Sequence, residues 1–135
     1  MRSSLWQIIE QDRRLSIFAA LLRITCLDLY LNENGPCTVF APSNHAFGRL
    51  ASGTMASWMT DALALQKVLE GHIVVGQWMV ADLVRSLELL TFCGTRVTLS
   101  RSEQALRYGD STILRCDILA SNGILHVVTD LVVQP

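Results

Sequence analysis

The apolar residues of this chain recur at spacings of three and four as far as Leu87 and at every second position from Val97 onward, and that change of period decides its fold class. Leu5, Ile8 and Ile9, then Leu15, Phe18, Ala19 and Leu22, predict two amphipathic helices with a break near Gln11-Asp12. Asn32-Glu33-Asn34-Gly35-Pro36 is a turn cluster, and Thr38-Val39-Phe40 after it reads as a buried strand. Ser43 is placed to cap a helix over Asn44 to Leu50, and Ala51 to Thr60 reads as a loop. Asp61 caps the next helix, which carries Leu65, Val68, Leu69 and His72 on one face and is closed by Gly76. Met79 to Leu87 predicts one more short helix.

Beyond it the pattern is that of strands. Val97 and Leu99 alternate with Thr98 and Ser100, and Leu114, Cys116 and Ile118 alternate with Arg115 and Asp117, which gives each strand one polar face. Asn122-Gly123 signals a tight turn, and Ile124 to Val133 is apolar on both parities, as in a central strand covered on both sides. Helices first and strands last predict an α+β fold.

Composition narrows the class of function. A length of 135 residues fits a single domain spanning 1–135, and 50% hydrophobic against 17% charged residues, with a mean hydropathy of +0.35, excludes general disorder. A net charge of −1, with arginines scattered from Arg2 to Arg115, offers no basic stripe for nucleic acid. The apolar run from Leu15 to Leu22 is bounded by Arg14 and Arg23, too short for a transmembrane segment, and Glu10 to Arg14 interrupts any signal peptide in this chain. Cys26, Cys37, Cys93 and Cys116 are too far apart for a zinc site, and Cys37, Cys93 and Cys116 read as buried free thiols. No G-x-S-x-G elbow, H-E-x-x-H pair or glycine-rich phosphate loop is present, so the expectation is a non-enzyme without metal or cofactor.

Two segments carry a family resemblance. Thr38-Val39-Phe40-Ala41-Pro42-Ser43-Asn44-His45-Ala46-Phe47 resembles the first signature block of the fasciclin (FAS1) domain, and the run from Asp117 to Val128 resembles the second. The resemblance implies a FAS1-like fold of two small β-sheets set at an angle with α-helices around them. It also implies an extracellular, cell-surface or periplasmic location and a non-catalytic role in cell adhesion, with a protein or a cell-surface or matrix component as partner. The family's Tyr-His pair on the middle helix is replaced by Gly71-His72, its Asp-Ile motif is present as Asp117-Ile118, and Thr129 stands where an aspartate is usual.

The candidate partner-binding residues are therefore Asp117, Ile118 and His72. Parity places the Asp117 carboxylate at the surface beside Arg115, where it could complete the coordination of a receptor-held divalent cation, and where Asp117→Asn should leave folding unchanged. His72 reads as partly buried near a helix C-terminus whose dipole favours its charged form. His126 should point inward and bond to Ser43 or Asn44, while His45 faces solvent. Arg107-Tyr108-Gly109-Asp110 reads as a plain turn. Trp58-Met59 and Trp78-Met79 read first as core packing. If they line a lipophilic pocket instead, the alternative function is a carrier of a small hydrophobic molecule, a lipid or pigment.

Overall fold

The computed structural model describes residues 2–102 and 105–132. Helix α1 (Leu5–Gln11) opens on a capping box in which Gln7 N–H donates to Ser4 Oγ at 3.1 Å and Ser4 N–H donates to Gln7 Oε1 at 2.9 Å. The predicted break falls at Asp12, whose carboxylate caps a 3-10 turn (Arg13–Leu15) that leads into α2 (Ser16–Ile24). Next come α3 (Leu27–Glu33), β1 (Cys37–Pro42), α4 (Asn44–Gly48), α5 (Thr54–Met59) and α6 (Ala62–Glu70). The chain continues through β2 (Ile73–Val75), α7 (Val80–Leu83), β3 (Glu88–Leu90), β4 (Arg96–Arg101), β5 (Leu106–Tyr108), β6 (Ser111–Ala120) and β7 (Gly123–Val128).

Four local readings change. The segment Ala51 to Thr60 contains α5, because Trp58 is drawn into the core and winds the residues around it into a helix. The middle helix stops at Glu70 rather than near Gly76, and the β-branched run Ile73-Val74-Val75 pairs with β1 instead. The helix expected over Met79 to Leu87 shrinks to the single turn α7, and the chain then enters β3. The last strand ends at Val128; Val133 lies outside the described residues.

The seven strands run in the order β2-β1-β7-β6-β5-β4-β3, with β1 and β7 parallel and the other neighbours antiparallel. A single bridge, Val74 to Thr91, brings the two ends of this order together. Both β1 and β7 are buried along their whole length, because each feeds a core on either face. Cys37, Val39, Ala41, Leu125 and Val127 join helices α1, α2, α3 and α6 in the larger core. Phe40 and Val128 turn the other way into a smaller core with Val97, Leu99 and Tyr108. There the Phe40 and Tyr108 rings stack 3.8 Å apart at 7°, and the Tyr108 hydroxyl donates to the Gly71 carbonyl at 2.8 Å.

Candidate functional site

Strand β6 is the element that departs from regular pairing. Its register to β7 shifts between Ile113 and Arg115 and again between Arg115 and Ile118, so Leu114, Arg115 and Cys116 are all exposed and the alternation read from the sequence is lost. Cys116 accordingly stands at the surface and Cys93 is only half-buried; among the three thiols expected inside, Cys37 alone is buried. Burial pushes the Cys37 thiol up to about 11.

Asp117 ends the second bulge in the left-handed region, at φ 58°, a conformation that Asp adopts more readily than most residues. Its carboxylate does not project freely beside Arg115: it is half-buried, and Oδ1 accepts the backbone N–H of Val80 at 2.8 Å, the first amide of α7. Ile118 pairs with Leu125 of β7 and packs, partly buried, on the larger core.

The backbone N–H of Asp117 donates to Nδ1 of His126 at 3.2 Å. Since Nδ1 must accept, Nε2 carries the proton and donates to the Trp78 carbonyl at 2.7 Å. His126 is therefore buried, as its parity predicts, but its partners are Asp117 and Trp78 rather than Ser43 or Asn44. Burial lowers its pKa, against the opposing influence of the Trp78 carbonyl and the Asp117 charge.

His72 follows the end of α6 and has no exposed surface. Val132 N–H donates to its Nε2 at 3.0 Å, so Nδ1 carries the proton and donates to the Val68 carbonyl at 2.8 Å. Burial depresses its pKa to about 4, with the Val68 bond opposing. The expected partly buried, dipole-stabilised cation is instead a fully buried neutral ring, because desolvation outweighs the helix terminus. His45 is exposed.

Two asparagines take larger roles than expected, Asn44 as the first residue of a helix and Asn122 as part of a tight turn. Asn44 accepts Ile17 N–H at 2.9 Å and donates to the Arg13 carbonyl at 2.9 Å and to Ser16 Oγ at 2.9 Å, tying α4 to the start of α2. Asn122 accepts Leu5 N–H at 2.8 Å and donates to the carbonyls of Leu31 at 2.8 Å and Asn34 at 2.6 Å, holding the start of α1 and the end of α3 on the β6–β7 turn. Both satisfy helix-terminal backbone groups that would otherwise need water. Ser43 occupies the cap position of α4, but its side chain makes no capping bond.

The family model of the Fasciclin domain matches residues 13–134. The chain belongs to the fasciclin domain family. Protein sll1483 of Synechocystis sp. is 30% identical over 131 residues, covering 96% of this chain and 72% of that protein. Transforming growth factor-beta-induced protein ig-h3 of Sus scrofa is 30% identical over 132 residues, 97% of this chain but 19% of its own length. Among solved structures, the FAS1 domain pair of the insect cell adhesion molecule Fasciclin I superposes with a TM-score of 0.73 at 17% identity, over 98% of this chain and 51% of that one. That likeness establishes the α+β FAS1 fold, in which the two sheet halves are joined here through β6.

At the position where this fasciclin domain departs from the family pattern, Thr129 Oγ1 accepts Thr112 N–H at 3.0 Å and donates to Asp130 Oδ2 at 3.0 Å, and Asp130 pairs with Arg49 at 3.2 Å. Trp58 is buried in the larger core and Trp78 packs on the smaller one, as the packing role predicts, but Met59 is exposed and Met79 belongs to neither core. A cleft of about 350 Å³ lies elsewhere, between the Asp12–Arg14 turn, the Ser43–His45 turn and Leu114, Arg115 and Val127. Burial raises the pKa of Asp12 on its margin, but bonds from the Arg14 amide and guanidinium and from Arg115 more than offset this and hold it below the usual value. No single helix among the described residues is long and apolar enough to cross a membrane.

Proposed function

We propose that this fasciclin domain, taken as residues 1–135, is a non-catalytic interaction module of an extracellular, cell-surface or periplasmic protein, and that its protein or matrix partner docks where β6 bows out of the sheet. The observation that carries this reading is the exposed segment Leu114-Arg115-Cys116, lifted by two register shifts above a neighbour strand that is wholly buried. Asp117 closes that segment. With Oδ1 held by Val80, its other carboxylate oxygen remains the candidate ligand for a receptor-held divalent cation, and Ile118 supplies apolar surface next to it. His72, fully buried, would act only by fixing the end of α6 and the segment at Val132. Adhesion is stated for the insect molecule of the same fold, and it is the partner class proposed for this chain.

The test is binding to immobilised cell-surface extract by wild type and Asp117→Asn, each with and without a metal chelator. Asn keeps an oxygen for Val80 N–H, so the variant should fold. Substitution and chelation should each weaken binding, and together do little more. Unchanged binding by folded Asp117→Asn removes Asp117 from the site.

A second reading, a carrier of a small hydrophobic molecule such as a lipid or pigment, is favoured by the cleft beside Leu114 and Val127, whose volume falls at the lower end of the range for small-molecule pockets, about 300–1,000 Å³.

A further inference from the structure

The walls of that cleft are fixed by one side chain. Asn44 holds the Arg13 carbonyl and Ile17 N–H with its amide, so the turn carrying Arg13 and Arg14 and the turn carrying His45 cannot separate without breaking three hydrogen bonds. The floor is apolar, formed by Leu114, which is 60% exposed, and Val127 of the buried strand β7.

The rim is basic. Arg13, Arg14 and Arg115 face a single lining acid, Asp12, and both oxygens of that acid are occupied. Oδ1 takes the Arg14 amide at 2.9 Å and Arg14 Nε at 3.3 Å, while Oδ2 takes an Arg115 terminal nitrogen at 3.2 Å. Asp12 thus orients two guanidiniums at the mouth of the cleft and neutralises only one unit of charge. Each of those guanidiniums keeps further N–H donors, since arginine has five, and Arg13 makes no ion pair among the described residues.

We propose that this cleft binds a small amphipathic carboxylate, its hydrocarbon on Leu114 and Val127 and its carboxylate on the Arg13 and Arg14 guanidiniums. The inference rests on the carrier reading and adds the charge of the cargo. Planar guanidinium forks match a carboxylate in two parallel hydrogen bonds, which a neutral alcohol or a cation cannot form. A cleft of about 350 Å³ with an apolar floor is of the size that takes a small molecule such as a single acyl chain.

The experiment is titration calorimetry of the full chain with sodium decanoate below its micellar concentration, beside decan-1-ol, decylammonium and a hexaglutamate peptide. Wild type should bind one decanoate, more weakly as salt is added, and bind the alcohol and the ammonium at least about tenfold more weakly, the factor expected for one charge-assisted bond pair. Arg13→Gln should weaken decanoate binding about tenfold. Leu114→Glu should abolish it, and Lys67→Gln, remote from the cleft, should leave it unchanged. Arg13, Leu114 and Lys67 all have solvent-accessible side chains, so the variants should melt as wild type does. Equal binding of decanol and decanoate overturns the anion preference and leaves the carrier reading standing, whereas binding of none of the decyl compounds overturns both. Decanoate binding untouched by Arg13→Gln and Leu114→Glu overturns the site, and tighter binding of hexaglutamate than of decanoate makes it a peptide site instead.

Discussion

Asp117 and His126 meet through the backbone: the amide of Asp117, at the left-handed turn of β6, donates to the imidazole Nδ1 of His126 on β7 at 3.2 Å. From this pair two further bonds reach across to the segment before the second sheet half, one from His126 Nε2 to the Trp78 carbonyl at 2.7 Å and one from Val80 N–H to the Asp117 carboxylate at 2.8 Å. A bulge, a buried ring and a one-turn helix are thereby a single hydrogen-bonded unit.

The first prediction separates the acceptor from the charge at position 117. Asp117→Asn should cost less than about 1 kcal/mol, because the amide oxygen can still accept from Val80. Asp117→Ala should cost about 2–3 kcal/mol, from the lost cap and from placing an alanine at φ 58°. Asp117→Gly should recover part of that loss by relieving the backbone. Urea denaturation of the three variants checks the order, and equal losses for Asn and Ala would show that the Val80 bond contributes nothing.

Acid should weaken the fold through its buried histidines. The folded-state pKa of His72 is depressed from 6.5 to about 4, so the unfolded chain takes up a proton first as the pH falls and stability declines through that window. The decline attributable to His72 should approach about 3 kcal/mol by pH 4, and His126, also depressed, adds to it in the same direction. Asp12, held below its ordinary value near 3.8, adds its own loss only under that pH. Urea midpoints at pH 7 and pH 4.5 should differ more in wild type than in His72→Gln, and an NMR titration of the ring itself should show no protonation above pH 5. A ring that titrates near 6.5 would contradict the buried neutral assignment.

The β6–β7 turn should be intolerant at both of its signature residues, for different reasons. A Cβ on Gly123 would overlap the Cys37 carbonyl and come within 2.8 Å of Leu5, so Gly123→Ala should cost more than about 3 kcal/mol, forcing β1 and β7 apart. Asn122→Ala removes the partner of Leu5 N–H and of the Leu31 and Asn34 carbonyls and should cost about 2–4 kcal/mol. Asn122→Asp keeps the acceptor for Leu5 but sets a carboxylate oxygen against the Leu31 and Asn34 carbonyls, so it should cost at least as much as Ala. Thermal melting of the set orders them.

The parts of this fold that were legible in the sequence are those where one local pattern suffices. Residues 38–40 and 124–128 are apolar on both parities apart from Thr38 and His126, because β1 and β7 each feed two cores, and the break at Asp12 was visible because a polar run interrupts the helical period. Strands β2 and β3 are three residues long, shorter than any alternation test can resolve. Helix α5 is only six residues long, follows a small and polar stretch, and buries Trp58 alone in the larger core. Asp117 was misplaced because a bulge resets parity without altering composition, and the partner of His126 was hidden because Trp78 arrives from 48 positions away. The polar roles of Asn44 and Asn122 lay inside the two signature blocks, where their places at a helix start and a tight turn gave no sign of the longer-range bonds they make.

The proposed docking surface on β6 can be blocked at its centre, since Cys116 is exposed in the middle of the bowed segment. In a Cys26→Ser, Cys93→Ser background, which removes the other exposed thiol and the half-buried one, a bulky maleimide should attach to Cys116 and leave Cys37 untouched in its core. Binding of the labelled and unlabelled protein to immobilised cell-surface extract is then compared directly. At least about a tenfold loss on labelling, corresponding to about 1.4 kcal/mol, is the result expected if the partner docks on Leu114 to Asp117; equal binding by the folded, fully labelled protein would contradict it.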